Sequence, residues 1–163
     1  MPSHHESNSP FKLPPWLIED GLDISKLPID SVLRQAISPD NEEFHSGCTL
    51  LKLMCGVGRV EAGVFLLGLL KRYSEDYGRL TQIAGALEHF PSEETVDALA
   101  SELRRVKGSS STRGYLRKII DTLEHFPEEL TKEEIQKLSS DPLVGPRFRQ
   151  RLRSISEDND LPW

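Results

Sequence analysis

The most regular feature of the chain is an apolar stripe that returns after 36 residues. Leu80, Ile83, Ala84 and Leu87 follow the i, i+3, i+4, i+7 spacing of one helix face, and Leu116, Ile119, Ile120 and Leu123 repeat it. Each stripe runs into the same phrase, Leu87-Glu88-His89-Phe90-Pro91 and Leu123-Glu124-His125-Phe126-Pro127. One step back, Phe44, Gly47, Cys48, Leu51 and Met54 fill the positions of Leu80, Ile83, Ala84, Leu87 and Phe90. One step forward the match thins to Leu152 and Ile155, then Ser156 and Asn159. The spacing predicts about four related units, the last of them worn.

A second set of stripes alternates with the first. Ile29, Val32, Leu33 and Ala36 predict a helix that stops before Pro39, because the residue preceding proline avoids the α region. Val60, Val64, Phe65, Leu66, Leu67, Leu69 and Leu70 go round more than one face of a helix over residues 59–72. That helix is therefore expected at the centre of the core, buried between neighbours. Val96, Leu99, Leu103 and Val106 mark a third helix of this set, and Ile135 and Leu138 a short fourth.

Helix starts are signalled by Asp40 or Asn41, Ser74, Ser92 and Thr112, and Thr131-Lys132-Glu133-Glu134 reads as a capping box. Leu13-Pro14-Pro15-Trp16-Leu17-Ile18 predicts a short helix closing the open end of the stack. Residues 1–12 read as a polar tail containing His4-His5, residues 13–156 as the folded domain, and residues 157–163 as an acidic tail. Trp163, like Trp16, is a candidate hydrophobic cap, or else a linear docking motif.

Helix–turn–helix units in series are the sequence sign of an α-solenoid. The pairing of Val96/Leu99/Leu103 with Leu116/Ile119/Ile120/Leu123, and of Val60/Val64/Leu67 with Leu80/Ile83/Leu87, resembles short HEAT-like repeats over residues 24–155. That resemblance implies an all-α solenoid with short capping segments, whose second helices line a concave face. It also implies a role in binding other proteins, as a scaffold, adaptor or immunity-type inhibitor. HEAT-like folds include DNA glycosylases too, so the alternative it leaves is a nucleic-acid-binding protein related to them.

Composition narrows these choices. A chain of 163 residues fits one domain, and a net charge of −6 favours solubility and, taken globally, disfavours polyanionic partners. Cys48 and Cys55 do not form a disulfide framework, which points to a reducing compartment. Cys48, in an apolar stripe, reads as a small core residue. The start lacks a secretory pattern, and the longest apolar stretch, residues 64–70, is too short for a membrane span. A cytoplasmic location is expected, with no membrane partner.

Candidate chemistry is sparse. His89 and His125 occupy equivalent positions, expected one helix spacing of about 10 Å apart. Two direct zinc bonds of about 2.1 Å cannot span that gap, so these histidines are read as stabilising helix C-terminal carbonyls. Glu88 and Glu124 lack companions for a triad, and the chain is expected to be neither an enzyme nor a cofactor carrier.

Charge placement is more informative. Equivalent positions on the second helices read Asn41/His45, Tyr77/Thr81, Arg113/Arg117 and Arg149/Arg153, a strip that becomes basic toward the C-terminus. Lys118, Arg147 and Arg151 extend it, while Glu93, Glu94, Glu128, Glu129, Glu133 and Glu134 crowd the first-helix starts. Tyr77, Arg113, Arg117, Arg149 and Arg153 are thus the candidate partner-binding residues. For an immunity-type inhibitor of a basic protein, the acidic helix starts would bind instead.

Overall fold

The computed structural model describes residues 13–159, the side chain of Asn159 excepted. The expected tail over residues 1–12 with His4-His5, and Trp163, lie outside the described residues. What is described is all-α apart from one small hairpin. Its helices are α1 (Ile29–Ala36), α2 (Asn41–Gly56), α3 (Val60–Arg72), α4 (Tyr77–Ala86), α5 (Glu93–Arg105), α6 (Arg113–His125), α7 (Glu128–Ser139) and α8 (Pro146–Asn159). A single 3-10 turn, Leu87–His89, continues α4. Helix α8 takes in Glu157 and Asp158, so the first residues of the expected acidic tail are helical.

Each 36-residue unit forms a pair of packed helices: α1 with α2, α3 with α4, α5 with α6, and α7 with α8. Across units, α2 packs on α4, α4 on α6 and α6 on α8, while α5 packs on α7. The repeated stripe makes this possible. Leu80, Ile83, Ala84 and Leu87 are fully buried, as are Ile119 and Ile120, and Phe44, Leu51 and Met54 fill the same role in α2. The Thr122 hydroxyl donates to the Ala84 carbonyl at 3.0 Å, tying α6 to α4. The paired phrases also meet, with Glu88 lying 3.7 Å from His125 and 4.0 Å from Lys52.

The core is centred on α4 and α6 rather than on α3. Helix α3 buries Ala62, Gly63, Leu66, Leu69 and Leu70, yet Val60 and Val64 are 61% and 58% exposed and Phe65 is exposed as well. Its many apolar residues serve two surfaces: one packs on α2 and α4, and the other faces solvent. A groove of about 500 Å³ lined by Leu67, Leu70, Ala98 and Ser101 separates α3 from α5.

The N-terminal segment is not the expected helix. Strands β1 (Leu17–Ile18) and β2 (Gly21–Leu22) pair antiparallel around a two-residue loop, with Leu17 opposite Leu22 and Ile18 opposite Gly21. Gly21 has φ +139°, a conformation that glycine adopts most readily. The Leu17 N–H closes a turn on the Pro14 carbonyl at 3.0 Å, and Trp16 and Ile24 pack on the core. The Arg59 guanidinium then holds the carbonyls of Ile24 and Leu27.

Several caps differ from expectation. Asp40 and Ser92 cap α2 and α5 as anticipated. Asp76, not Ser74, caps α4, accepting from the Arg79 N–H at 3.1 Å. Helix α7 starts one turn early behind Pro127, so Thr131 is buried inside the helix and forms no capping box.

Candidate partner-binding site

The N-terminal ends of α6 and α8 form a basic groove, and loop chemistry fixes both. Thr112 does not cap α6. Its hydroxyl accepts from the Ser109 N–H at 2.8 Å and donates to the Lys107 carbonyl at 2.7 Å, closing the loop before Arg113. Pro146 opens α8, where its fixed φ suits the first helical position. The preceding turn is held by Asp141, whose Oδ1 accepts from the Leu143 N–H at 2.9 Å. Arg104 of α5 clamps the same carboxylate at 2.7 Å and reaches Glu134 of α7 at 2.8 Å. The hydrogen bond that Arg104 donates holds the Asp141 carboxyl below its ordinary range and raises Arg104 above its own.

Arg113 and Arg117 of α6 and Arg147, Phe148 and Arg151 of α8 line one groove of about 250 Å³. It adjoins a hollow of about 550 Å³ lined by Gly108, Ser109, Arg113, Gly145, Pro146, Arg147 and Phe148. Arg151 is neutralised by Asp121 and by Glu124, the latter at 3.2 Å. Arg113, Arg117 and Arg147 are exposed, and among the described residues none has an ion-pair or side-chain hydrogen-bond partner. Three of the first-helix glutamates pair with other residues: Glu128 with Lys132, Glu133 with Lys137, and Glu134 with Arg104.

The anticipated strip is only partly assembled. Arg113 and Arg117 face the groove, but Arg149 and Arg153 lie off it. Because Phe148, Leu152 and Ile155 face inward, Arg147 and Arg151 project on one flank of α8 while Arg149 and Arg153 fall on the other. Arg149 is half-buried, its Nε has no hydrogen-bond partner among the described residues, and its charge helps hold Asp141 low. Tyr77 is half-buried against Tyr115, ring centroids 6.0 Å apart, and lines neither cavity of this groove. Lys118 lies instead with His45 and Lys52 around a separate hollow of about 310 Å³ across α2 and α4.

The Arg104 clamp escaped sequence reasoning because three separate elements meet there. Helix α8 keeps the 36-residue register, with Leu152 and Ile155 inward at the positions of Leu116 and Ile119. Arg149 and Arg153 therefore fall on the flank that Arg113 and Arg117 take on α6, and the opposite flank of α8 lines the groove. His125 fits its anticipated role: its Nδ1 bonds the Asp121 carbonyl at 2.7 Å. No family model, curated protein or solved structure matches the chain.

Proposed function

We propose that the chain is a short HEAT-like solenoid acting as a non-catalytic protein-interaction module, with the α6–α8 groove as its contact surface. The supporting observation is the trio Arg113, Arg117 and Arg147, three guanidinium groups around one groove that no described residue neutralises, on a chain of net charge −6. Like charges held together raise the energy of the free protein, and an acidic segment of a partner relieves them. The repeated stripe and the packing order α2–α4–α6–α8 support the solenoid assignment. The exposed side chains of Leu53, Val57, Val60, Val64 and Phe65 offer additional apolar contact area.

A protein segment suits the groove better than a nucleic acid. Asp121 and Glu124 lie further along α6 and meet Arg151 of α8, interrupting the run of positive charge that a chain of phosphates would follow. The test is affinity capture from the source cell's lysate after nuclease treatment, using wild type and the triple variant Arg113→Glu/Arg117→Glu/Arg147→Glu. A protein partner retained by wild type and lost by the variant is the expected result. Capture unchanged in the variant, or recovery only of nuclease-sensitive material, refutes the proposal.

A further inference from the structure

We propose that the α6–α8 groove recognises a phosphoryl group carried on a serine or threonine of its partner. This rests on the proposal that the groove is a protein-contact surface, and it specifies the group recognised. Three guanidinium groups without partners among the described residues border the cavities, whereas the fourth, on Arg151, is already neutralised by Asp121 and Glu124. A side-chain carboxylate brings one charge and two oxygens, too few for three arginines. A phosphomonoester brings about −1.5 to −2 charges and three strong acceptor oxygens. It can therefore take forked hydrogen bonds from more than one guanidinium.

The shape agrees with a phosphorylated side chain on a peptide. The arginine groove opens into the larger hollow beside Gly108, Ser109, Gly145 and Pro146, small or compact residues that leave room for a peptide backbone. Half-buried Phe148 borders both spaces and supplies an apolar contact. Asp121 and Glu124 disfavour a second anion further along α6, so the groove accepts one isolated phosphoryl group rather than a phosphate chain.

The test is fluorescence anisotropy of the full chain with three short, otherwise degenerate peptide libraries whose central residue is phosphoserine, serine or glutamate. A single-stranded oligonucleotide serves as a fourth probe. The phosphoserine library should bind at least about tenfold tighter than the other two, as expected for one or two added charge-assisted hydrogen bonds. Arg113→Gln/Arg117→Gln/Arg147→Gln should abolish the difference, and because these side chains are exposed the variant should keep the wild-type melting curve. Equal binding of the glutamate library overturns the phosphoryl assignment but leaves the groove as a protein-contact surface. The assignment is likewise overturned, with the contact surface intact, by a captured partner that stays bound after phosphatase treatment. Tighter binding of the oligonucleotide than of any peptide overturns both. Failure of every peptide library to bind overturns the phosphoryl assignment.

Discussion

Replacing Arg79 should produce a large loss of stability, because one buried guanidinium joins the first unit to the second. Arg79 is only 7% exposed. It donates to the carbonyls of Ser38 at 2.7 Å and Pro39 at 3.0 Å, to Asn41 Oδ1 at 3.1 Å, and to the Tyr73 hydroxyl at 3.1 Å. Its charge lies 4.5 Å from the Phe44 ring centroid and 5.0 Å from that of Tyr73. Hydrogen bonds to a charged group contribute roughly 1.5–3 kcal/mol each. Their simple total overstates the effect, since burying the guanidinium itself costs several kcal/mol. Pro39 and Asn41 are also exposed, so water can replace some of the lost bonds. The net loss for Arg79→Ala should be about 3 kcal/mol, lowering Tm by roughly 10 °C for a domain of this size. Arg79→Lys should lose about half as much, because an ammonium cannot fork to both carbonyls and the ring faces. Urea titration followed by helical circular dichroism measures both. A loss below about 1 kcal/mol for Arg79→Ala would refute the reasoning.

Two glycines on α3 should respond in opposite directions. A Cβ at Gly63 would lie 2.3 Å from the Phe90 ring, so Gly63→Ala should destabilise by about 1–3 kcal/mol. At Gly68 a Cβ meets nothing within 4 Å among the described residues, so Gly68→Ala should stabilise by up to about 1 kcal/mol, both read by thermal melting. Burial pushes the Cys48 thiol up to about 12 and Cys55 up to about 11. Both should resist a thiol reagent at neutral pH until denaturant is added, as thiol titration with and without denaturant would reveal. The lowered pKa of Asp141 means that the folded state binds fewer protons there than the unfolded state. Its contribution is therefore complete above the unfolded value of about 3.9 and is lost as pH falls through the lower folded value. Asp141→Asn should be less stable than wild type at neutral pH and converge with it in strong acid, as melting across pH would register.

Helix pairing was legible because the buried stripes of α2, α4 and α6 share one spacing and one period. Where sequence and structure part, a local signal met a competing constraint. Pro14-Pro15 resembles a helix start, but Gly21 four residues beyond Leu17 turns the segment back into a hairpin. Apolar residues all round α3 resemble a buried helix, yet the groove between α3 and α5 leaves one side uncovered. In the candidate site, Arg113 and Arg117 were legible from the repeat. The repeat points to Arg149 and Arg153 rather than Arg147, because two neighbouring helices meet through opposite flanks and the repeat does not reveal which flank faces α6 on α8. The clamp before α8, Arg104 with Glu134 and Asp141, joins residues 30 and 37 positions apart in sequence.

A partner that meets the α6–α8 groove should leave its mark on the backbone amides there. The most direct measurement is an amide NMR map of the isotope-labelled chain with its captured partner. Shifts concentrated in residues 108–117 and 145–151 are the predicted result. Shifts concentrated instead around Leu53, Val57, Val60, Val64 and Phe65, with the groove unchanged, would contradict it.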